Sequence, residues 1–153
     1  RYSVVYFLHG LPGSSTSYGS RAFVERALDL VGKPAILVLP QGAREGETDP
    51  EYVDRGAGDN WGTAITDELR RVVDERYRTI ADRDGRALIG VSAGGYGAMH
   101  LALEHLDVFS VVESWSGYFH PTDPAGAKPL SLGSKTLDAK GKRKIREEET
   151  GLC

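Results

Sequence analysis

Hydrophobic residues in this chain come in short unbroken runs separated by longer stretches of helical spacing. Residues 2–8 (Tyr-Ser-Val-Val-Tyr-Phe-Leu) are β-branched and aromatic with almost no polar interruption, which suits a strand buried on both faces of a parallel sheet. Phe23, Ala27, Leu30 and Val31 recur at helical spacing, and Gly32 followed by Lys33-Pro34 ends that helix. Residues 35–39 read as a second buried strand, closed by Pro40-Gln41-Gly42. A second helix starts at Asp59-Asn60-Trp61-Gly62. Its apolar stripe is Ile65, Leu69, Val72, Val73 and Tyr77, with Asp67 and Glu68 near the start, where the helix dipole favours acids. Residues 86–91 and 109–115 make two more strands. Between them lies a helix whose face of Gly94, Gly97, Ala98, Leu101 and Ala102 is small enough to approach the sheet closely. Strand and helix alternate throughout, which predicts an α/β fold, a parallel sheet flanked by helices on both faces. Such sheets bind ligands beyond the C-terminal ends of their strands. Leu11, Ser92 and the exit at 116–120 all fall on that edge.

Two stretches break the alternation. Residues 43–58 hold Gly46, Gly56, Gly58 and Pro50 among acidic residues such as Glu45, Glu47, Asp49, Glu51 and Asp54, and read as a solvated loop over that edge. Their charge alone would admit a metal, but regular ligand spacing is missing, so no metal is expected there. Beyond Ser134 the basic run Lys140, Lys142, Arg143, Lys144 and Arg146 is followed by Glu147, Glu148 and Glu149. The acidic triplet largely cancels the basic run, so a solvated or disordered tail is expected over 134–153 rather than a nucleic-acid contact.

Composition narrows the class without changing the architecture. A chain of 153 residues, 40% hydrophobic and 27% charged, is long enough for one globular domain with a real core. A net charge of −3 gives no general attraction to nucleic acid or membrane. The one cysteine, Cys153, excludes an intrachain disulfide. No apolar run is long enough for a membrane span. Strand-like residues begin at once, so a leader peptide is expected only upstream of Arg1, and the composition leaves the oligomeric state open.

The chemistry is concentrated in Gly90-Val91-Ser92-Ala93-Gly94, between a strand and a small-residue helix. A Gly-x-Ser-x-Gly in that context is a nucleophile elbow. A serine at the tip of a tight strand-to-helix turn has a strained backbone, and side chains two residues to either side would collide with the neighbouring strand and helix. The turn raises the hydroxyl above the sheet, at a helix N-terminus whose free N–H groups can stabilise an oxyanion. His9-Gly10-Leu11, directly after the first strand, has the form of the loop that supplies a second oxyanion N–H, here from Leu11.

The chain resembles the esterase D, antigen-type mycolyltransferase and feruloyl esterase branch of the α/β-hydrolases. Four stretches carry the resemblance: Val4-Val5-Tyr6-Phe7-Leu8-His9-Gly10, the helix from Trp61-Gly62-Thr63 to Tyr77-Arg78-Thr79, the elbow with Gly95-Tyr96-Gly97-Ala98, and Asp107-Val108-Phe109-Ser110 to Ser116-Gly117. They span residues 2 to about 120. The resemblance implies an α/β-hydrolase core over 1–133, with strands in the order second, first, third, fourth. It implies Ser92 as nucleophile, the backbone N–H groups of Leu11 and Ala93 as oxyanion hole, a small-molecule ester as substrate, no cofactor, and a secreted or cell-envelope location. In the family an acid and then a histidine follow the serine, on loops after two further strands. No strand-like run follows Trp115 and no histidine follows His120. The sequence therefore reads as the central part of a hydrolase, without the first and last strands of the family fold.

The histidines present do not fill the gap. His100 and His105 lie on the helix after the elbow, away from its tip, and His9 belongs to the oxyanion loop. His120 is on the correct edge but at the wrong place in the order. Asp107 precedes it from the far end of a strand, roughly 23 Å away. Asp123 and Asp138 have no later histidine to orient. The expected function is serine carboxylic-ester hydrolysis through an acyl-enzyme on Ser92. The alternatives are an acyltransferase using the same nucleophile and a non-catalytic domain that keeps the fold.

Overall fold

The computed structural model describes residues 1–10, 21–42, 52–54, 56–117 and 119. Four runs form strands β1 (Ser3–Leu8), β2 (Ala35–Val38), β3 (Arg86–Val91) and β4 (Val111–Trp115). Strand β1 is buried, β3 alternates, the expected buried strand at β2 is only half-buried as the edge of the sheet, and β4 at the other edge is largely exposed. All pair in parallel, in the order β2-β1-β3-β4, with Tyr6 opposite both Val38 and Leu88, and Gly90 opposite Ser114. The fold is the expected α/β-hydrolase core, and the strand order is the one implied by the resemblance.

Among the described residues three helices and a short 3-10 turn, Arg83–Gly85, connect the strands. Helix α1 is Arg21–Val31. Helix α2 runs over 61–76 as Trp61–Thr63, a π-helical turn Ala64–Leu69, and Arg70–Arg76. Helix α3 is Ala93–Glu104. Alternate strand residues serve the two faces, as the pleat requires. Val4, Tyr6, Leu8 and Leu88 point to one side and form the main core with Ile65 and Val73 of α2 and Ala98, Leu101 and Ala102 of α3. Phe7 points to the other side and meets Trp115, which also holds Phe23 of α1 at a ring-centroid distance of 5.5 Å.

Three details differ from the periodicity. In α1 the buried residue is Val24, whereas Leu30 and Val31 are exposed and Phe23, though it meets Trp115, is largely exposed as well. In α2 only Ile65, Leu69 and Val73 face the core. Their uniform spacing of four suits a helix widened by a π turn, and Val72 and Tyr77 are left exposed. Strand β4 starts at Val111, because Phe109 is drawn into the core edge-on to Tyr6 at 6.0 Å.

At the N-terminal edge of the sheet a buried ion pair ties α2 to β3. The Arg86 Nη2 donates to Asp74 Oδ2 at 2.7 Å, and the Thr79 hydroxyl donates to Asp74 Oδ1 at 2.7 Å. Burial pushes the neighbouring Tyr6 phenol up to about 12, and the Asp74 charge adds to the rise.

Two compact units divide the chain, Arg1–Tyr118 and Phe119–Cys153. Every strand and helix described above lies in the first. The expected boundary at 133 and the tail over 134–153 lie outside the described residues.

Candidate active site

In the strand order β2-β1-β3-β4, the connection from β1 leaves in one direction and the connection into β3 returns from the other. The C-terminal ends of β1 and β3 are therefore adjacent at the switch point, the place where open α/β sheets form a crevice. His9-Gly10 leaves one strand there and Ser92 leaves the other.

Ser92 has φ 55 and ψ −119, in the region that L-residues avoid, and is the N-terminal flanking residue of α3. The surrounding backbone enforces this conformation. A Cβ at Gly90 would run into the Gly94 carbonyl, and one at Gly94 into the Leu8 carbonyl, so strand, turn and helix close on one another with no room for a side chain. The Ser92 N–H donates to the Trp115 carbonyl at 2.8 Å, continuing the pairing of β3 with β4 through the turn. The Ser92 carbonyl accepts from the Tyr96 N–H at 3.0 Å, which closes the first turn of α3. Ala93 is buried at the helix start, where backbone N–H groups have no intrahelical partner.

The exit of β1 lies against this turn. A Cβ on Gly10 would stand 2.8 Å from the Val91 carbonyl oxygen and 2.9 Å from Ser92 Cβ. His9 is buried, and both of its ring nitrogens are engaged. Nδ1 donates to the Gly10 carbonyl at 2.9 Å, and Nε2 accepts from the Gly42 N–H at 3.1 Å. This fixes the neutral tautomer with the proton on Nδ1. Burial holds the imidazole below its ordinary pKa, against the contrary effect of the Gly10 carbonyl. With both nitrogens committed, His9 cannot take a proton from Ser92.

The expected solvated loop over 43–58 is corrected at Tyr52, which is fully buried. Its hydroxyl donates to the His9 carbonyl at 2.9 Å, and its backbone has φ 60. The sequence contained one signal for it, the pair Tyr52-Val53 in an otherwise polar, glycine-rich stretch. Asp54 anchors the same segment to the start of α2 by accepting from the Thr63 N–H and hydroxyl. Burial works to raise its pKa, but the Thr63 hydrogen bonds outweigh it and hold the carboxyl below the ordinary value.

The other candidates lie elsewhere. His100 pairs with Glu104 at 3.3 Å and stacks on Tyr96. His105 is the C-terminal flanking residue of α3, roughly 19 Å along the axis from Ser92. Asp107 is exposed in the turn before β4, at the opposite edge of the sheet. Leu11, His120, Asp123 and Asp138 lie outside the described residues. Among the described residues no cluster of His, Cys, Asp and Glu could hold a metal ion, and no helix is long and apolar enough to cross a membrane.

A parallel sheet with a strained serine between its third strand and a glycine-lined helix places the protein in the α/β-hydrolase class. The chain belongs to the Esterase family, whose model, described as "Putative esterase", matches residues 1–146. Esterase Rv1288 of Mycobacterium tuberculosis is 32% identical over 116 residues, which are 76% of this chain and 25% of that protein. A solved ferulic acid esterase is 29% identical with a TM-score of 0.68, covering 80% of this chain and 50% of the other. The Mycobacterium tuberculosis protein MPT51 is 25% identical with a TM-score of 0.59, covering 81% and 45%. The chain thus spans about a quarter of the length of that curated relative and about half of the two solved structures.

Proposed function

We propose that this chain carries the nucleophile of a serine carboxylic-ester hydrolase. Ser92 Oγ attacks the ester carbonyl, its proton passes to a general base, and the carbonyl oxygen becomes an oxyanion. Collapse of the tetrahedral intermediate expels the alcohol, which takes the proton, and leaves an acyl-enzyme that water hydrolyses. The N–H groups of Ala93 and Leu11 hold the oxyanion. The observation that carries this reading is Ser92 at φ 55 at the head of α3, with Gly10 of the neighbouring strand exit directly beside it. Such strain persists only where the surroundings over-determine it, and it costs about 1–3 kcal/mol. Since His9, His100 and His105 are engaged or distant, the base is none of them.

The test uses a fluorophosphonate probe on the full-length protein, followed by hydrolysis of p-nitrophenyl acetate and of a methyl ferulate, the latter because the ferulic acid esterase is a structural neighbour. Labelling should map to Ser92 and disappear in Ser92→Ala. Labelling that survives this substitution sinks the assignment. The acyl-enzyme is common to hydrolysis and acyl transfer, so products are also analysed with an added alcohol acceptor. Without a base on Ser92, the 153-residue chain alone should show only residual turnover, about 10³–10⁴ over water.

A further inference from the structure

The geometry points to Tyr52 as a positioning residue that holds the His9–Gly10 peptide against Ser92 and so presets the oxyanion side of the site; this rests on the reading of Ser92 as nucleophile. The first observation is backbone strain. Tyr52 has φ 60, a left-handed conformation that a bulky aromatic rarely adopts. It is kept there by its enclosure. The ring lies against Gly97 of α3, where a Cβ would come within 2.6 Å of Tyr52 Cδ2, and against Gly42, where a Cβ would come within 2.6 Å of the hydroxyl oxygen. A residue after β2 and one within the elbow helix are thus shaped around one side chain.

The second observation is where the enclosed hydroxyl points. It donates to the His9 carbonyl in a buried hydrogen bond of 2.9 Å. That carbonyl also lies against Gly94, where a Cβ would come within 2.6 Å of it. The next carbonyl, of Gly10, is held by the His9 ring, and the ring is held in turn by the Gly42 N–H. The Tyr52 ring sits edge-on to that imidazole, with centroids 5.8 Å apart. Two successive carbonyls are therefore each held by a side chain, His9 by Tyr52 and Gly10 by the His9 ring. Fixing both carbonyls fixes the backbone of the strand exit at Gly10, beside Ser92. An oxyanion donor must stand 2.7–3.1 Å from a charge that exists only in the transition state, so it depends on such prior orientation. Tyr52 acts through the peptide and touches no reacting atom.

Tyr52→Phe keeps the ring and removes only the hydroxyl. In the full-length enzyme, kcat per fluorophosphonate-titrated site should fall about tenfold on p-nitrophenyl acetate, with KM within about twofold of the unmutated value. Amide hydrogen exchange over residues 9–10 should accelerate. Gly97→Ala perturbs the same ring from the opposite side, improves helix propensity, and should lower kcat in the same sense. Combined with Tyr52→Phe its effect should be less than additive. A merely structural role would lower the titrated fraction of sites and leave turnover per site unchanged. Unchanged turnover per site and unchanged exchange in Tyr52→Phe, in a protein labelled at Ser92, overturn this inference alone. Absence of Ser92 labelling in the unmutated protein overturns the underlying reading instead.

Discussion

Substituting Gly10 by alanine introduces one methyl group at the closest approach of the two strand exits. That Cβ would stand 2.9 Å from Ser92 Cβ and 2.8 Å from the Val91 carbonyl oxygen. Ordinary carbon contacts begin near 3.4 Å, so the exit and Ser92 must separate by about 0.5 Å. Neither can move freely. Ser92 is bonded through its N–H to Trp115, and the peptide at Gly10 is held by His9. A retreat of 0.5 Å takes a donor out of the roughly 2.7–3.1 Å window for an oxyanion, and loss of one donor costs about 10²–10³ in kcat. The expected result is a fall in kcat of about 10²-fold with little change in KM, since the donor acts on the transition state. The assay is p-nitrophenyl acetate hydrolysis by the full-length protein, normalised to fluorophosphonate-titrated sites. Gly32→Ala is the control. It sits at φ 65 in open space, should cost about 1–2 kcal/mol of stability, and should leave kcat alone. A Gly10→Ala enzyme with unmutated kcat would refute the argument that this exit frames the oxyanion.

Asp74→Ala leaves Arg86 buried without its carboxylate and should destabilise by about 3–5 kcal/mol, read as a melting-temperature drop of about 6–20 °C. Asp74→Leu combined with Arg86→Met should recover most of that loss, and a double variant as unstable as the single one would show that packing, not the unpaired charge, sets the cost. His9 is buried neutral, so its folded pKa lies below the unfolded value of 6.5. The unfolded chain then binds the extra proton first, and stability present above about pH 6.5 should decline as pH falls below it. His9→Gln should flatten that slope in denaturant melts between pH 7 and 5, and an unchanged slope would assign it to other groups.

The buried strands were legible because a doubly covered strand has no polar face to confuse the pattern. Val4 to Leu8 are all buried, as their composition requires. The elbow was legible because its glycines are forced by contact, and contact leaves a fixed spacing in the sequence. The face of α1 was not legible. Periodicity finds apolar residues at one spacing, and Val24 carries the burial while Phe23, Leu30 and Val31 satisfy the same pattern and stay largely exposed. Asp74 with Arg86 was invisible for a different reason, since a charged residue reads as solvent-facing until its partner, brought by tertiary structure, is known. Tyr52 combined both difficulties, an aromatic in a loop composition whose burial depends on His9, Gly42 and Gly97, which are remote in sequence.

The π turn in α2 has a bearing on how the chain tolerates changes in length. A π turn holds one residue more than an α turn over nearly the same rise. Deleting any one residue within Ala64–Leu69 would let the segment rewind as plain α-helix, and the residues ahead of it would keep nearly their present orientation relative to Val73. Gly62 and Thr63 lie ahead of it. Gly62 fits between the Tyr52 carbonyl and Leu101, and Thr63 binds Asp54. A single missing codon there would thus leave the helix intact with its leading end still set against the segment that bears Tyr52, whereas one lost from Arg70–Arg76 would turn that end by about 100°.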